Sequence, residues 1–364
     1  MRFKKGAAGA RLRKAETTGI TTYSTQTGFV SEVQGPNTLL RDTVFGSVQV
    51  MDTEKLEVST IMGGRVIAPF VMKNGSALLV SGTVTKTATV EAPNIRTKMT
   101  FDPAFQFVRK PGVVNFATAA QIGGGYAEYK QRELAYMTSM HINAEEWQAA
   151  MAIGVGVIAY TVDDEEAFTI SNPKPAANNV VVTILWDDPD PSLPTPDEDF
   201  YTAKRLLNAQ GTGHQPNIAL FGQAAAAAFR HLMVRQDGLD RLYVNSGRID
   251  LTTQFDVRGA IFMGTFCGIP CWEYTRAATL NGVSVPMIRS KFVEFIAAVP
   301  ESEFKRYYAA IPEVVGDREI LARTMRFSKE WSTPDPAATY ALVHSRPLCY
   351  ARRPGASASF QVTA

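Results

Sequence analysis

The sequence has few of the residues on which enzymatic and metal chemistry most often depend. It contains three cysteines and four scattered histidines in 364 residues. Three cysteines are too few for a disulfide framework and fit a protein made in a reducing compartment. No nucleophile elbow, zinc-protease helix or Cys-x-x-Cys pair is present,. We therefore expect no enzyme activity, no cofactor and no metal site.

Long apolar runs are also missing. The sequence has no stretch of about 18 apolar residues, as a membrane helix requires, and its start lacks the apolar core of a signal peptide,. The net charge is +2, so the surface as a whole is not suited to nucleic acid. The length of 364 residues predicts two or three compact lobes,. Apolar residues make up 45% of the chain, enough to form a sizeable core,.

The first 43 residues differ from the rest because they hold little that could form a core. Basic residues crowd the first fourteen positions, namely Arg2, Lys4, Lys5, Arg11, Arg13 and Lys14. This composition predicts an extended N-terminal arm over residues 1–43. Six positive charges could contact about six phosphates of a nucleic acid in a salt-sensitive way. A solvated tail and a contact with a neighbouring subunit stay open as alternatives.

Strands are predicted after the arm. Residues 53–59 alternate apolar and polar side chains, the pattern of a half-buried strand,. Residues 65–101 are rich in β-branched residues and turns, and Asn74-Gly75 is a strong hairpin signal,. We expect an excursion of two strands over residues 63–101 that projects from the body, because its side chains are mostly polar.

The longest helical pattern follows the triple glycine at Gly123–Gly125, which we interpret as a helix breaker. Apolar residues at steps of three, four and seven predict a helix over residues 126–153 that ends at Gly154,. A strand pair over 157–162 and 167–171 and a short apolar strand over 180–186 are predicted next.

An acidic, proline-rich segment then opens the second half of the chain. Thr195 to Glu198 form a capping box with proline at the first helical position,. Further predicted elements are a strand at 218–221, a helix carrying Ala225, Ala228, Phe229 and Leu232 and closed by Asp237-Gly238, and strands at 261–272, 293–299, 340–344 and 357–362. The pattern as a whole predicts an α+β fold.

Three motifs suggest chemistry but are better explained otherwise. Cys267 and Cys271 are separated by three residues, and zinc or redox pairs prefer two, so we interpret the cysteines as small buried apolar residues. The acidic segment 187–199 has four prolines and no glycine, unlike a calcium loop. Gly123–Gly125 lack the Lys-Ser/Thr of a phosphate-binding loop.

Several segments, taken in order, resemble the lambda-type major capsid protein E family of tailed phages. The C-terminal third carries the resemblance best, through residues 320–331, Thr333-Pro334-Asp335-Pro336, residues 340–348 and Phe360-Gln361-Val362. Thr53-Glu54-Lys55-Leu56 and residues 145–149 are similar to the family at matching points along the chain.

The resemblance implies the Hong Kong 97-type capsid fold. Its domains would be an N-terminal arm (1–43), the start of the peripheral domain (44–62), a projecting E-loop (63–101), the peripheral domain with its spine helix at about 126–153 (102–189), an axial domain (190–310) and a return to the peripheral domain with a C-terminal strand (311–364).

The implied function is that of a major capsid protein. Copies would assemble as pentamers and hexamers into the icosahedral head of a tailed phage, made in the host cytoplasm and retained in the virion. Scaffolding, portal and decoration proteins and packaged double-stranded DNA are the implied partners. Lys73, Lys86 and Lys98 could serve a covalent cross-link, which we do not expect because the lambda type does without one. The alternatives are an encapsulin-like compartment shell and a soluble metal- or cysteine-dependent enzyme.

Overall fold

A computed structural model describes most of the body of the chain, and its described residues are 26–28, 30, 38–62, 84–101, 119–162, 165–190, 192–209, 215–235, 259–280, 282–298, 303–315, 318–334 and 337–364. They belong to two compact units, each built from separate chain segments. The first unit draws on Met1–Gly35, Asn94–Met140 and Ile311–Ser345, and the second unit on Pro36–Pro93, His141–Ala310 and Arg346–Ala364.

Three α-helices have both ends within the described residues, namely α1 (Ala119–Gly154), α2 (Pro196–Leu207) and α3 (Gln223–Arg235). The predicted long helix is confirmed and ends at Gly154 as expected. The interpretation of Gly123–Gly125 as a breaker is wrong, because α1 runs through all three glycines. Each glycine costs about 1 kcal/mol relative to alanine, which does not stop a helix of this length. None of the helices in the described part of the chain is long and apolar enough to cross a membrane.

The start of α2 differs from its prediction in one respect. Pro196 occupies the first helical position as expected, but Thr195 makes no side-chain capping bond, so the predicted capping box is wrong. Asp197, Glu198 and Asp199 lie in the first turn instead. Their negative charges stabilise this end of the helix through its dipole.

Strands make up much of the remaining structure. In chain order they are β1 (Ser47–Val50), β2 (Lys55–Met62), β3 (Val84–Glu91), β4 (Ile95–Phe101), β5 (Val157–Val162), β6 (Glu165–Ser171), β7 (Asn179–Val181), β8 (Ile218–Phe221), β9 (Ala260–Phe266), β10 (Ile269–Tyr274), β11 (Ala277–Leu280), β12 (Val283–Pro286), β13 (Phe292–Ile296), β14 (Phe304–Tyr308), β15 (Ile311–Val315), β16 (Arg318–Ala322), β17 (Phe327–Pro334), β18 (Ala337–Ser345), β19 (Pro347–Ala351) and β20 (Ser357–Gln361). Together with the helices they confirm the α+β expectation.

The first unit contains an antiparallel sheet in the order β17-β18-β4 and the hairpin β15/β16. Side chains alternate between the two faces of a strand, so every second residue of β18 and β4 points to the same side. That side forms an apolar core with the N-terminal part of α1, made of Val30, Phe101, Leu134, Met137, Ala341 and Val343.

The second unit is organised around a six-stranded mixed sheet in the order β7-β20-β13-β8-β10-β9. Phenylalanines from α2, α3 and the sheet form its aromatic core, namely Phe200, Phe221, Phe229, Phe295 and Phe360. The C-terminal strand β20 pairs with β13 in this sheet. The predicted axial domain (190–310) includes β13 but not β20. Its boundary at residue 310 therefore differs from the bounds of the second unit, which contains both strands.

The hairpin β2/β3 belongs to the second unit, with a ladder from Lys55 opposite Glu91 to Met62 opposite Val84. The strand predicted at 53–59 is confirmed from Lys55 onward and extends to Met62. The prediction that residues 63–101 form one two-stranded excursion is wrong, since β3 pairs with β2 and β4 pairs with β18 in the first unit. Residues 63–83, with the predicted turn Asn74-Gly75, lie outside the described residues.

Two further strand predictions need correction. Of the predicted strand 180–186, only residues 180 and 181 lie in a strand, which begins at Asn179. Beyond it, the N–H groups of Val182 and Trp186 donate to the carbonyls of Gln361 and Val362, one bond each. The predicted strand 261–272 is a hairpin, because Cys267 and Gly268 adopt positive φ angles of 48° and 73° and turn the chain between β9 and β10. The predicted Asp237-Gly238 helix end lies outside the described residues.

Candidate functional site

The N-terminal segment is attached to the second unit at a π-helical turn, Leu40–Val44. The N–H groups of Leu40 and Arg41 donate to the two carboxylate oxygens of Glu146 at 3.0 and 2.7 Å. A helical turn leaves its first N–H groups without partners of their own. A carboxylate from α1 therefore caps this turn and fixes the place where the chain enters the body.

A second carboxylate strengthens the same attachment. Glu145 is fully buried and accepts a hydrogen bond from Arg41 Nε at 2.5 Å, with Arg306 Nη1 at 3.9 Å. Glu146 also accepts the hydroxyl of Tyr274. Burial raises the pKa of Glu146, while its hydrogen bonds with Tyr274, Arg41 and Leu40 oppose that rise. The paired acids thus form a buried anchor, which we call the arm anchor.

The described residues of the predicted arm 1–43 are mostly helical. Besides the anchored turn, residues 26–28 and 30 are helical, and Val30 is fully buried in the core of the first unit. Gln26 Nε2 donates to Glu330 at 2.7 Å and Thr27 Oγ1 to the Ser328 carbonyl at 3.2 Å. Gln26 and Thr27 thus have polar partners on β17, and Val30 packs among apolar residues of β4, α1 and β18, so the prediction of an arm is wrong for them. The six basic residues Arg2, Lys4, Lys5, Arg11, Arg13 and Lys14 lie outside the described residues.

One face of the hairpin β2/β3 is buried, and the other face is exposed. Leu56 and Val58 are fully buried against the second unit, and Thr60 Oγ1 lies 2.7 Å from Tyr350 Oη. Glu57 and Thr89, which form a cross-strand pair on the opposite side, are exposed. The base of the hairpin is therefore fixed, and one face is available to another molecule.

In the first unit a buried carboxylate joins the hairpin β15/β16 to the sheet. The side chain of Glu313 is 3% exposed and lies 2.5 Å from Arg96 Nη2 and 3.0 Å from His344 Nδ1. Lys329 Nζ donates to its other oxygen. Burial opposes ionisation of Glu313, but Lys329 and Arg96 outweigh it and hold its pKa below the usual value.

Replacing Glu313 by glutamine should therefore make the first unit less stable in a pH-dependent way. A carboxyl whose pKa is lower in the folded state stabilises the fold above its unfolded pKa of about 4.3. That contribution is lost as the pH falls through the folded value. We expect E313Q to cost about 1–3 kcal/mol at pH 7, where the cations around it lose their partner.

Urea unfolding of E313Q and the unchanged protein at pH 7 and pH 3 measures this difference. The difference in the free energy of unfolding between the two proteins should be smaller at pH 3 than at pH 7. Glu319, exposed on the same hairpin, supplies the matched control E319Q, which should have almost no effect. A difference between E313Q and the unchanged protein that is equal at both pH values would contradict the assignment.

A third buried network lies at the C-terminal end of α1. Lys174 and Glu294 are each 1% exposed and 3.3 Å apart, and Arg289 Nη2 lies 2.8 Å from Glu294. The carbonyl oxygen of Gly154 accepts a hydrogen bond from Arg289 Nη2 and lies near Ser359 Oγ, each at 3.0 Å. Burial lowers the pKa of Lys174, and Glu294 opposes this. Cations at this end stabilise the helix dipole.

The cysteines do not gather into a site. Cys271 and Cys349 are buried, and burial raises the pKa of each thiol to about 12. For these two the interpretation as buried apolar residues is confirmed, whereas Cys267 is partly exposed. Among the described residues, no cluster of three or more His, Cys, Asp or Glu side chains could hold a metal ion.

The acidic segment forms local turns. The N–H groups of Asp190 and Ser192 donate to Asp188 Oδ1 and Asp190 Oδ1 at 2.9 and 3.0 Å. A hydrogen bond also joins the two ends of the segment, because Nε1 of Trp186, the residue before it, donates to Oδ2 of Asp199, its last residue, at 2.8 Å. These bonds support the interpretation as a solvated loop. Of the lysines considered for a cross-link, Lys86 and Lys98 are exposed, and Lys73 lies outside the described residues.

A sequence profile of the phage major capsid protein E family matches residues 22–362. Since this covers nearly the whole chain, the protein belongs to the phage major capsid protein E family. No curated protein matches the sequence.

The fold is shared with a solved structure. A protein described as a prophage capsid protein of Escherichia coli CFT073 superposes with a TM-score of 0.62 at 14% identity, covering 90% of this chain and 93% of that one. A phage-related protein of Bordetella bronchiseptica RB50 gives 0.47 at 12% identity, with 92% and 95% covered. An encapsulin of Synechococcus elongatus PCC 7942 gives 0.45 at 10% identity, with 87% and 85% covered.

The expected capsid fold and the expected family are thus confirmed. The protein is a phage major capsid protein, a structural protein whose copies form capsid shells. Its relevant surfaces are therefore those that meet other copies.

Proposed function

We propose that the protein is the repeating subunit of the closed icosahedral head of a tailed double-stranded DNA phage, assembled as pentamers and hexamers. The family match over residues 22–362 carries this proposal. Shell formation fits the physics of the chain, because many modest contacts per subunit sum to a stable wall. A shell repeats the same contacts around closed rings of subunits.

Different regions of the chain have different roles in this proposed assembly. We assign residues 63–83, carried on β2 and β3, to a projecting E-loop that reaches a neighbouring copy. Helix α1 is the spine of the peripheral domain, and the six-stranded sheet with α2 and α3 forms most of the axial domain. The buried positions of Leu56 and Val58 support the assignment of the E-loop, since they fix the base of the hairpin that carries it.

The basic arm would face the packaged DNA. Replacing Arg2, Lys4, Lys5, Arg11, Arg13 and Lys14 together by glutamine should leave shells intact but weaken their retention of DNA. Loss of about six phosphate contacts should flatten the salt dependence of retention, measured as DNA released over a NaCl gradient. Glutamine at three exposed basic residues of the body outside the β2/β3 hairpin, Arg132, Arg205 and Lys291, is the control. Unchanged salt dependence in the arm variant would favour an arm that contacts a neighbouring subunit.

Scaffolding, portal and decoration proteins complete the proposed assembly, which is made in the host cytoplasm and ends in the virion. Expression of the chain with and without its scaffolding protein tests the proposal by sedimentation velocity. We expect fast-sedimenting particles of one size with scaffold. A chain that stays monomeric under every condition, or particles that enclose an enzyme cargo, would overturn the proposal.

A further inference from the structure

One buried arginine lies where both ends of the β2/β3 hairpin meet the second unit. Arg346 directly precedes β19, and its side chain is 2% exposed. The chain leading into β2 runs along the same place, because Met51 N–H donates to the Tyr308 carbonyl at 2.8 Å and Ala310 N–H to the Thr53 carbonyl at 3.0 Å.

The guanidinium of Arg346 contacts both ends of the hairpin. Nη1 donates to the carbonyl of Ala310 at 3.2 Å, and Nη2 is 3.5 Å from the carbonyl of Ala92, the residue after β3. The carboxylate of Glu54, just before β2, lies 4.0 Å from Nη1, and that of Glu91, the last residue of β3, lies 3.6 Å from Nη2. One side chain therefore joins the entry and the exit of the hairpin to the body.

Stability alone does not account for this arginine. Desolvating a guanidinium is costly, and the carboxylates that face it are 50% and 68% exposed, so solvent screens the attraction. Its buried Nε has no hydrogen-bond partner within the described chain. An apolar side chain of similar volume would fill the space at lower cost, which points to a role in geometry.

We infer that Arg346 is a positioning residue for assembly: it clamps both ends of the β2/β3 hairpin and so sets the direction in which the hairpin reaches a second copy of this chain. The second copy rests on the proposed function, whereas the clamp itself rests on the contacts of Arg346 alone. Because its ionic contacts are partly exposed, salt loosens the clamp.

Amide hydrogen exchange on the unassembled full-length chain tests the clamp. In R346M, exchange in residues 55–62 and 84–91 should become about tenfold faster, while exchange in residues 292–296 of the six-stranded sheet stays unchanged. The double variant E54Q/E91Q should show about a threefold increase in exchange in the same hairpin segments. The unchanged protein should show a similar increase in about 0.5 M NaCl, where the Debye length is about 4 Å. Glu57 is an exposed carboxylate on the same hairpin. The variant E57Q is therefore the matched control and should show no increase in exchange.

The outcomes separate clearly. Unchanged hairpin exchange in R346M, or an equal rise in residues 292–296, would overturn the clamp and leave Arg346 with a general structural role. If R346M does not fold, E54Q/E91Q decides the question in the same way. Failure of the unchanged protein to form shells would count against the proposed function only, since exchange is measured on the unassembled chain.

Discussion

Replacing residues 63–83 by a two-residue Asn-Gly turn will give a folded subunit that no longer assembles into shells. Met62 and Val84 are cross-strand partners, so two residues can connect them, and Asn-Gly is the preferred sequence for such a turn. The strands keep their ladder, and Leu56 and Val58 keep their buried positions. The fold therefore survives while the proposed contact with a neighbour is removed.

The expected loss of assembly is large because the same contact recurs at every subunit of a shell. Removing about 3 kcal/mol per contact lowers each association constant by more than a hundredfold. Circular dichroism should be unchanged, and sedimentation should find small species only. The matched control is the double substitution D163N/D164G, which places the same turn sequence between the paired residues Val162 and Glu165. Normal shells from the shortened chain would refute the assignment of residues 63–83.

Replacing Glu294 by glutamine should destabilise the second unit by about 3–5 kcal/mol, the usual cost of breaking a buried ion pair from one side. The variant would leave Lys174 and Arg289 facing each other without the carboxylate that lies between them. It would also disturb Ser359, whose hydroxyl donates to Glu294. The sheet would lose a link between β13 and β20, next to the end of α1.

The partner variant K174M provides the comparison. Glu294 would then keep Arg289 and Ser359, so the loss should be smaller, about 1–2 kcal/mol. Chemical unfolding followed by tryptophan fluorescence measures both, since Trp186 lies in the core of this unit. Equal losses for the two variants would show that Glu294 is not the centre of the network.

Local patterns in the sequence predict much of the fold. The strand Ile218–Phe221 and the end of α1 at Gly154 match their predictions. The strand is marked by a continuous apolar run, and the helix end by a glycine after periodic apolar residues. Both signals are local, because each lies within the element that it predicts. The start of α1 could not be predicted in this way. Glycine propensity argues for a break at Gly123–Gly125, and the structure of the whole helix overrides it.

The buried networks were beyond sequence reasoning. Lys174 and Glu294, like Glu146 and Leu40, are more than a hundred positions apart in the chain, and a single sequence carries no signal that such residues meet. Arg346 belongs to the segment that suggested the family, yet nothing in the sequence separates it from an exposed arginine. In each case the tertiary fold, and no local pattern, brings the charges together.

Electron cryo-microscopy of particles from cells that express the chain with its scaffolding protein tests the central claim most directly. The account predicts closed icosahedral shells of one diameter, in which the density for residues 63–83 extends from the tip of β2 and β3 onto a neighbouring subunit. Open aggregates, isolated subunits, or shells in which this segment folds back on its own subunit would contradict it.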